Sequence, residues 1–206
     1  VVLLSARRRE DMERWFGEIP DLWLVAETGA VMRRAGAKGW ELLHPFAGLA
    51  DWKDPVKEVL EHFVERAPGS VLEEKEYSLV FHYWLSDPVF GQWLANELVA
   101  MLEEMLAGSD LQVVSGRRFV EVRPLYVSKR QAVRRIFEIT GRGTFRLAAG
   151  DDRSDEDLFE ELGADAWTIH VGPGASRARY FLPASGDLLQ LLEEMAGLEA
   201  RAVSQC

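Results

Sequence analysis

Only one cysteine occurs in 206 residues, Cys206 at the very end, so neither a disulfide framework nor a cysteine-based metal site is expected, and a reducing cytoplasm suits the chain best. Basic residues are also in short supply: 24 Lys and Arg face 34 Asp and Glu, leaving a formal charge of -10. That balance argues against a nucleic-acid partner, whose phosphate backbone is gripped by clustered cations. A small anionic substrate stays compatible with locally placed basic residues. No run of 18 apolar residues exists, so no membrane span is expected, and the opening VVLLSARRRE carries its charges after the apolar stretch, the reverse of a signal peptide. The four histidines, His44, His62, His82 and His170, have no metal-ligand spacing and read as structural.

Seven Trp and ten Phe within a 48% hydrophobic chain supply a sizeable core, and packing is the expected role of the aromatics. The chain starts at Val1 directly in an apolar β-branched run, which predicts a piece cut from a longer protein. Residues 1–4 suit a strand buried on both faces, and residues 7–16 place Met12, Trp15 and Phe16 at helical spacing. Residues 22–26 form a second apolar run, closed by Glu27-Thr28-Gly29. Strand and helix in alternation predict a parallel α/β sheet.

From about Trp40 the pattern changes. Asp54 is placed to cap a helix with Pro55 at its first position; residues 77–84 read as a strand, 90–106 as a long helix, and 111–114 and 118–123 as a hairpin. This block predicts an inserted lid with its own sheet. The alternation resumes with helix 129–140, strand 145–149, helix 155–162, strand 167–171 and a last helix over 187–195. The expected organisation is a Rossmann-like α/β core of residues 1–40 and 125–206, interrupted by an α/β cap over residues 41–124.

The most telling stretch runs from Gly150 through Asp151, Asp152, Asp155, Glu156 and Asp157, five carboxylates in seven positions after a short apolar strand. A capping box of Ser154 with Asp157 would account for the helix start, but not for Asp151 and Asp152 at the strand's carboxyl end. Ligand sites in open α/β sheets lie at such ends, and magnesium prefers carboxylate oxygens, so a metal site is the stronger reading. Ser5 closes the first strand, where a hydroxyl can serve a phosphoryl oxygen or simply cap a helix. Gly172-Pro173-Gly174 lacks the lysine of a nucleotide-binding loop and reads as a tight turn.

Residues 150–159, GDDRSDEDLF, resemble the fourth motif of trehalose-6-phosphate phosphatases of the haloacid dehalogenase superfamily, and the likeness spans nearly the whole chain. It implies Asp151 as a direct magnesium ligand, with Asp155 and Asp152 holding its waters. It implies Ser5 as the phosphate-binding hydroxyl, and Lys129, in Val127-Ser128-Lys129-Arg130, as the lysine that balances charge. In the cap, Glu73 and Lys75, and Arg117 with Glu121, match the family's sugar-recognising pattern; alternating charge alone would read as a solvated face. The chain departs from the family at Ala6, Thr28, Trp84 and Arg130, where Gly, His, Arg and Gly usually stand.

The resemblance also implies an Asp nucleophile and an Asp acid/base in an Asp-x-Asp motif that this sequence does not contain. The first core strand is therefore expected to be missing, and the chain alone to be inactive. The implied activity of the intact protein is magnesium-dependent hydrolysis of trehalose 6-phosphate in trehalose biosynthesis, with a trehalose-phosphate synthase domain fused or associated. Two other readings stay open: a non-catalytic phosphatase-like domain that binds a sugar phosphate or a partner synthase, and a phosphatase for another sugar phosphate.

Overall fold

A computed structural model describes residues 1–44, 52–143 and 145–203; Cys206 lies outside the described residues. The backbone divides into two compact units, Val1–Ala132 and Val133–Cys206. Among the described residues no helix is long and apolar enough to cross a membrane.

In the first unit the apolar run of β1 (Val2–Leu4) leads through α1 (Arg9–Phe16) to β2 (Trp23–Ala26), which pairs with β1 in parallel. Glu10 and Asp11 in the first turn of α1 complement its dipole, and Met12 on its inner face is buried. The next two strands, β3 (Val31–Arg33) and β4 (Glu41–Leu42), add in antiparallel fashion, which the sequence pattern did not announce. The cause is Glu27-Thr28-Gly29, whose positive φ angles of 47°, 59° and 104° reverse the chain within three residues.

The middle of this unit is an antiparallel sheet with helices on one face. Its elements are α2 (Lys53–Arg66), β5 (Val71–Glu74), β6 (Leu79–His82), α3 (Pro88–Met105), β7 (Leu111–Gly116) and β8 (Phe119–Pro124), with strand order β5-β6-β8-β7. Period-two alternation sends Leu72, Leu79, Phe81, Val120 and Val122 into one layer with Val56, Leu60 and Phe63 of α2 and Leu94, Leu98 and Leu102 of α3. Burying each large apolar side chain there stabilises by about 1.5–3 kcal/mol. The opposite face carries Glu73, His82, Glu121 and Arg123. Glu73 and Glu121 share one cross-strand row through Val80.

Asp87 caps α3 by accepting from the amides of Val89 and Phe90 at 3.1 and 2.8 Å, with Pro88 at the first helical position. Asp54, expected to cap α2, lies inside its first turn instead; the helix begins at Lys53, two residues before the expected first position at Pro55, and has no side-chain cap. Gly69, at φ +85°, opens β5 under tight constraint, since a Cβ there would stand 2.4 Å from the carbonyl oxygen of Leu85.

Helix α4 (Lys129–Thr140) carries the chain into the second unit. There β9 (Leu147–Gly150), α5 (Arg153–Leu162), β10 (Trp167–Val171), β11 (Tyr180–Leu182) and α6 (Ser185–Val203) follow in order. The strands form an all-parallel sheet in the order β11-β10-β9, and Val133, Leu162 and Ala166 are buried together. Among the described residues β9 pairs only with β10, and β1 only with β2.

Candidate active site

Ser5 ends β1 half-buried, its Oγ accepting from the amide of Arg7 at 3.2 Å. Beside it lies the reversal at the end of β2. The amides of Glu27 and Thr28 donate to the carbonyls of Arg7 and Ser5, both at 2.9 Å. Holding two non-glycine residues in the left-handed region costs of order 1–3 kcal/mol each, and such strain persists only where the surroundings over-determine it. Glu27 is buried as well, and its Oε2 accepts from the amide of Tyr77 at 2.8 Å. Burial pushes its carboxyl above the ordinary range, with the Tyr77 amide pulling the other way. Gly29 abuts the start of α4: a Cβ would come 2.7 Å from the Ser128 carbonyl and 3.0 Å from the Ala132 Cβ. Ser128 caps that helix by accepting from Gln131, and Lys129 is its buried first residue.

Strand β5 and the turn after it carry two of the sugar-binding candidates, Glu73 and Lys75. Glu73 stands 2.9 Å from His82 Nε2, 3.2 Å from Arg8 Nε and 4.0 Å from Lys75 Nζ. The hydrogen bond with His82, reinforced by Lys75 and Arg8 against the cost of burial, holds the Glu73 carboxyl down at about 2. Lys75 is buried and donates to the Ala6 carbonyl at 3.1 Å, while Arg8 also donates to the Glu74 carbonyl at 2.7 Å. Arg9 pairs with Glu76 at 3.2 Å.

Glu121 shares the polar face but binds Arg123 at 2.8 Å, and both are buried; Arg117 lies exposed in the β7–β8 turn, with no ion pair among the described residues. Glu73 and Lys75 are therefore brought together, whereas Arg117 and Glu121 are not paired. Sequence reasoning missed Arg8, Glu27, His82 and Arg123. Only Arg123 left a usable signal, standing two positions from Glu121 on one strand face.

In the second unit the acidic stretch begins at the carboxyl end of β9. The capping box is made by Asp152 and Asp155, not by Ser154 and Asp157 as the sequence spacing implied: Arg153 N donates to Asp152 at 2.7 Å, and Asp152 N donates to Asp155 at 3.0 Å. The helix starts at Arg153, two residues earlier than expected, which shifts the cap back along the chain. Asp155 is buried over Gly150, where a Cβ would sit 2.2 Å from the Asp155 Cγ. Glu156 accepts from Ser176 Oγ at 2.6 Å and Arg177 N at 2.7 Å, fastening the loop after β10.

Asp151 remains exposed, with no hydrogen bond or ion pair among the described residues. Among those residues no three His, Cys, Asp or Glu side chains are grouped as a complete metal cage. Magnesium takes only one or two protein carboxylates and keeps several waters, so the open carboxylate of Asp151 beside the fixed one of Asp155 fits part of its shell. Ser5 and Lys129 belong to the first unit, and Asp151, Asp152 and Asp155 to the second.

Parallel strands with acids at a carboxyl end, joined to a separate antiparallel sheet with a charged face, define a haloacid dehalogenase-like α/β fold. The likeness extends to a haloacid dehalogenase-like hydrolase from Bacteroides thetaiotaomicron, with a TM-score of 0.63 at 15% identity over 87% of this chain and 79% of that one. The trehalose-phosphatase family model matches residues 1–181, and the chain belongs to that family. The C-terminal domain of a C. albicans trehalose-6-phosphate phosphatase superposes with a TM-score of 0.86 at 27% identity, covering 95% of this chain and 77% of that one. A bifunctional trehalose-6-phosphate synthase/phosphatase of Thermoproteus tenax is 34% identical over 95% of this chain, which corresponds to 26% of its own length. The chain spans about a quarter of the length of the curated relatives it matches.

Proposed function

We propose that the full-length protein is a magnesium-dependent phosphatase that hydrolyses trehalose 6-phosphate to trehalose and phosphate in the cytoplasm. The observation that carries this reading is the acidic turn at the carboxyl end of β9 in a chain of the trehalose-phosphatase family. In this reading residues 1–40 and 125–206 form one core, and residues 41–124 form the cap. Ser5 donates its hydroxyl to a phosphoryl oxygen, and the Lys129 ammonium offsets the charge of the phosphate. Asp151 would hold the magnesium directly, with Asp155 and Asp152 orienting its waters, and the ion when bound would supply Lewis-acid polarisation of the phosphoryl group. Glu73, Lys75, Arg117 and Glu121 present carboxylate acceptors and cationic donors to sugar hydroxyls. The nucleophile and its acid/base partner come from a segment outside these 206 residues, so the chain alone turns over no substrate. The length and name of the T. tenax relative support a synthase domain in the same protein or bound to it.

The test is a panel of sugar phosphates assayed with the full-length protein, with and without magnesium, beside the 206-residue chain alone. Preference for a monosaccharide phosphate would remove the trehalose assignment. Binding without turnover by the full-length protein would replace the enzyme with a sugar-phosphate-binding domain.

A further inference from the structure

We infer that Glu27 is a positioning residue for the sugar end of the substrate, its carboxylate referencing the cap turn that carries Lys75 to the loop that carries Ser5. The inference rests on the phosphatase reading above. Three segments with candidate functional residues meet the strained tripeptide Glu27-Thr28-Gly29. Its amides hold the Ser5 loop through the carbonyls of Ser5 and Arg7. Its glycine lies against Ser128 and Ala132, which flank Lys129. Its one charged side chain reaches away from both and accepts from the amide of Tyr77 at 2.8 Å.

The chemistry of that last contact is what singles out Glu27. Tyr77 is packed among Met12, Leu24 and Val31, so its amide is shut off from water and needs an acceptor from the protein. A carboxylate offers acceptors and no donors, at a cost in burial that an apolar residue would not incur. Lys75, two positions before Tyr77, is then held at both ends of its path: its backbone by the anchored turn, and its ammonium by the Ala6 carbonyl at 3.1 Å. The spacing between the Ser5 hydroxyl and the Glu73 and Lys75 groups is thereby held by Glu27 from the β2 side, alongside the contacts of Lys75 with Ala6 and of Arg8 with Glu73 and Glu74. A substrate that spans both ends depends on that spacing; a phosphate ester too short to reach the cap turn does not.

The experiment compares Glu27→Ala with wild type in the full-length protein, with Glu27→Gln as a control that keeps an acceptor for the Tyr77 amide, measuring kcat/KM for trehalose 6-phosphate and for p-nitrophenyl phosphate, and amide exchange at Tyr77. The expected result for Glu27→Ala is a loss of about tenfold on the sugar phosphate, carried mainly by KM, a change within about twofold on the small ester, and exchange at Tyr77 faster by about tenfold. Equal losses on both substrates, or no loss on the sugar phosphate, overturn the inference, as does unchanged exchange at Tyr77. If wild type ignores trehalose 6-phosphate, the phosphatase reading fails by itself, and the sugar phosphate that wild type does hydrolyse or bind takes its place in the ratio. Should Glu27→Ala fail to fold, Glu27→Asp withdraws the oxygens by one methylene and reads the same ratio.

Discussion

Acids beside the antiparallel sheet β5-β6-β8-β7 and acids in the turn after β9 are stabilised by different chemistry. Four acids on or beside that sheet have cationic side chains beside them: Glu73 has Arg8, Lys75 and His82, Glu74 has Lys57, Glu76 has Arg9, and Glu121 has Arg123. In the turn, Asp152, Asp155 and Glu156 accept from backbone amides and serine hydroxyls. Amide dipoles orient a carboxylate without cancelling its charge, and Asp151 beside these acids is exposed with no ion pair among the described residues, so its carboxylate is open to a small cation. Cation pairs do cancel it, so a ligand on the charged face of that sheet would have to displace a protein partner, and only one that matched the vacated hydrogen bonds would gain by doing so. The first arrangement selects by charge and the second by shape.

The largest expected effect comes from breaking one of the ion pairs on the sheet. Glu121→Ala leaves the Arg123 guanidinium buried without its carboxylate, and its Nε already lacks an acceptor. A loss of about 3–5 kcal/mol in urea unfolding of the chain is expected, most of it restored when Arg123 is also replaced by Met. On the other side of the comparison, Asp151→Asn should lower magnesium-dependent turnover of the full-length protein by about 100-fold. Because Asp151 is exposed, its stability should change by no more than about 0.5 kcal/mol. Turnover close to wild type would remove Asp151 from the metal site.

Smaller effects sharpen the contrast. Asp152→Ala deletes a helix cap and should cost about 1 kcal/mol of stability in thermal or denaturant unfolding. The pH response separates two acids of the first unit, Glu73 and Glu27. Glu73 is held below its ordinary value of 4.5, at about 2, so its contribution to stability is complete above about pH 4.5 and is lost as pH falls toward 2. Glu27 is shifted upward by burial, so its ionisation opposes folding as pH rises through the raised value. Urea midpoints measured across the acid range should fall less steeply in Glu73→Gln than in wild type. An unchanged slope would show that Arg8 and His82 do not hold that carboxylate in solution.

Local pattern carried most of the fold. Lys129–Thr140 and Trp167–Val171 agree with the residues their apolar spacing marked out, because helix period and apolar run length are properties of a single segment. The strands β3, β4, β5 and β11 escaped, being two to four residues long and defined by partners elsewhere in the chain. The candidate site divides along the same line. The acidic turn was legible because its capping contacts join residues no more than 3 positions apart, although the helix cap proved to be Asp152 instead of Ser154. The contact between Arg8 and Glu73 joins residues 65 positions apart, and that between Glu27 and Tyr77 joins residues 50 apart; nothing in either local sequence marks the other.

The two-faced sheet β5-β6-β8-β7 leaves β5 no tolerance for a change in length. Gly69 is wedged against the Leu85 carbonyl at one end of the strand, and Tyr77 is tied to Glu27 at the other. Deleting or inserting a single residue between those anchors would slip the strand by one place and turn every side chain over. Glu73 would enter the hydrocarbon layer beneath α2 and α3, and Leu72 would take its place among the charges. Residues 70–76 are therefore expected to admit many substitutions on the outer face, yet no gap of one residue.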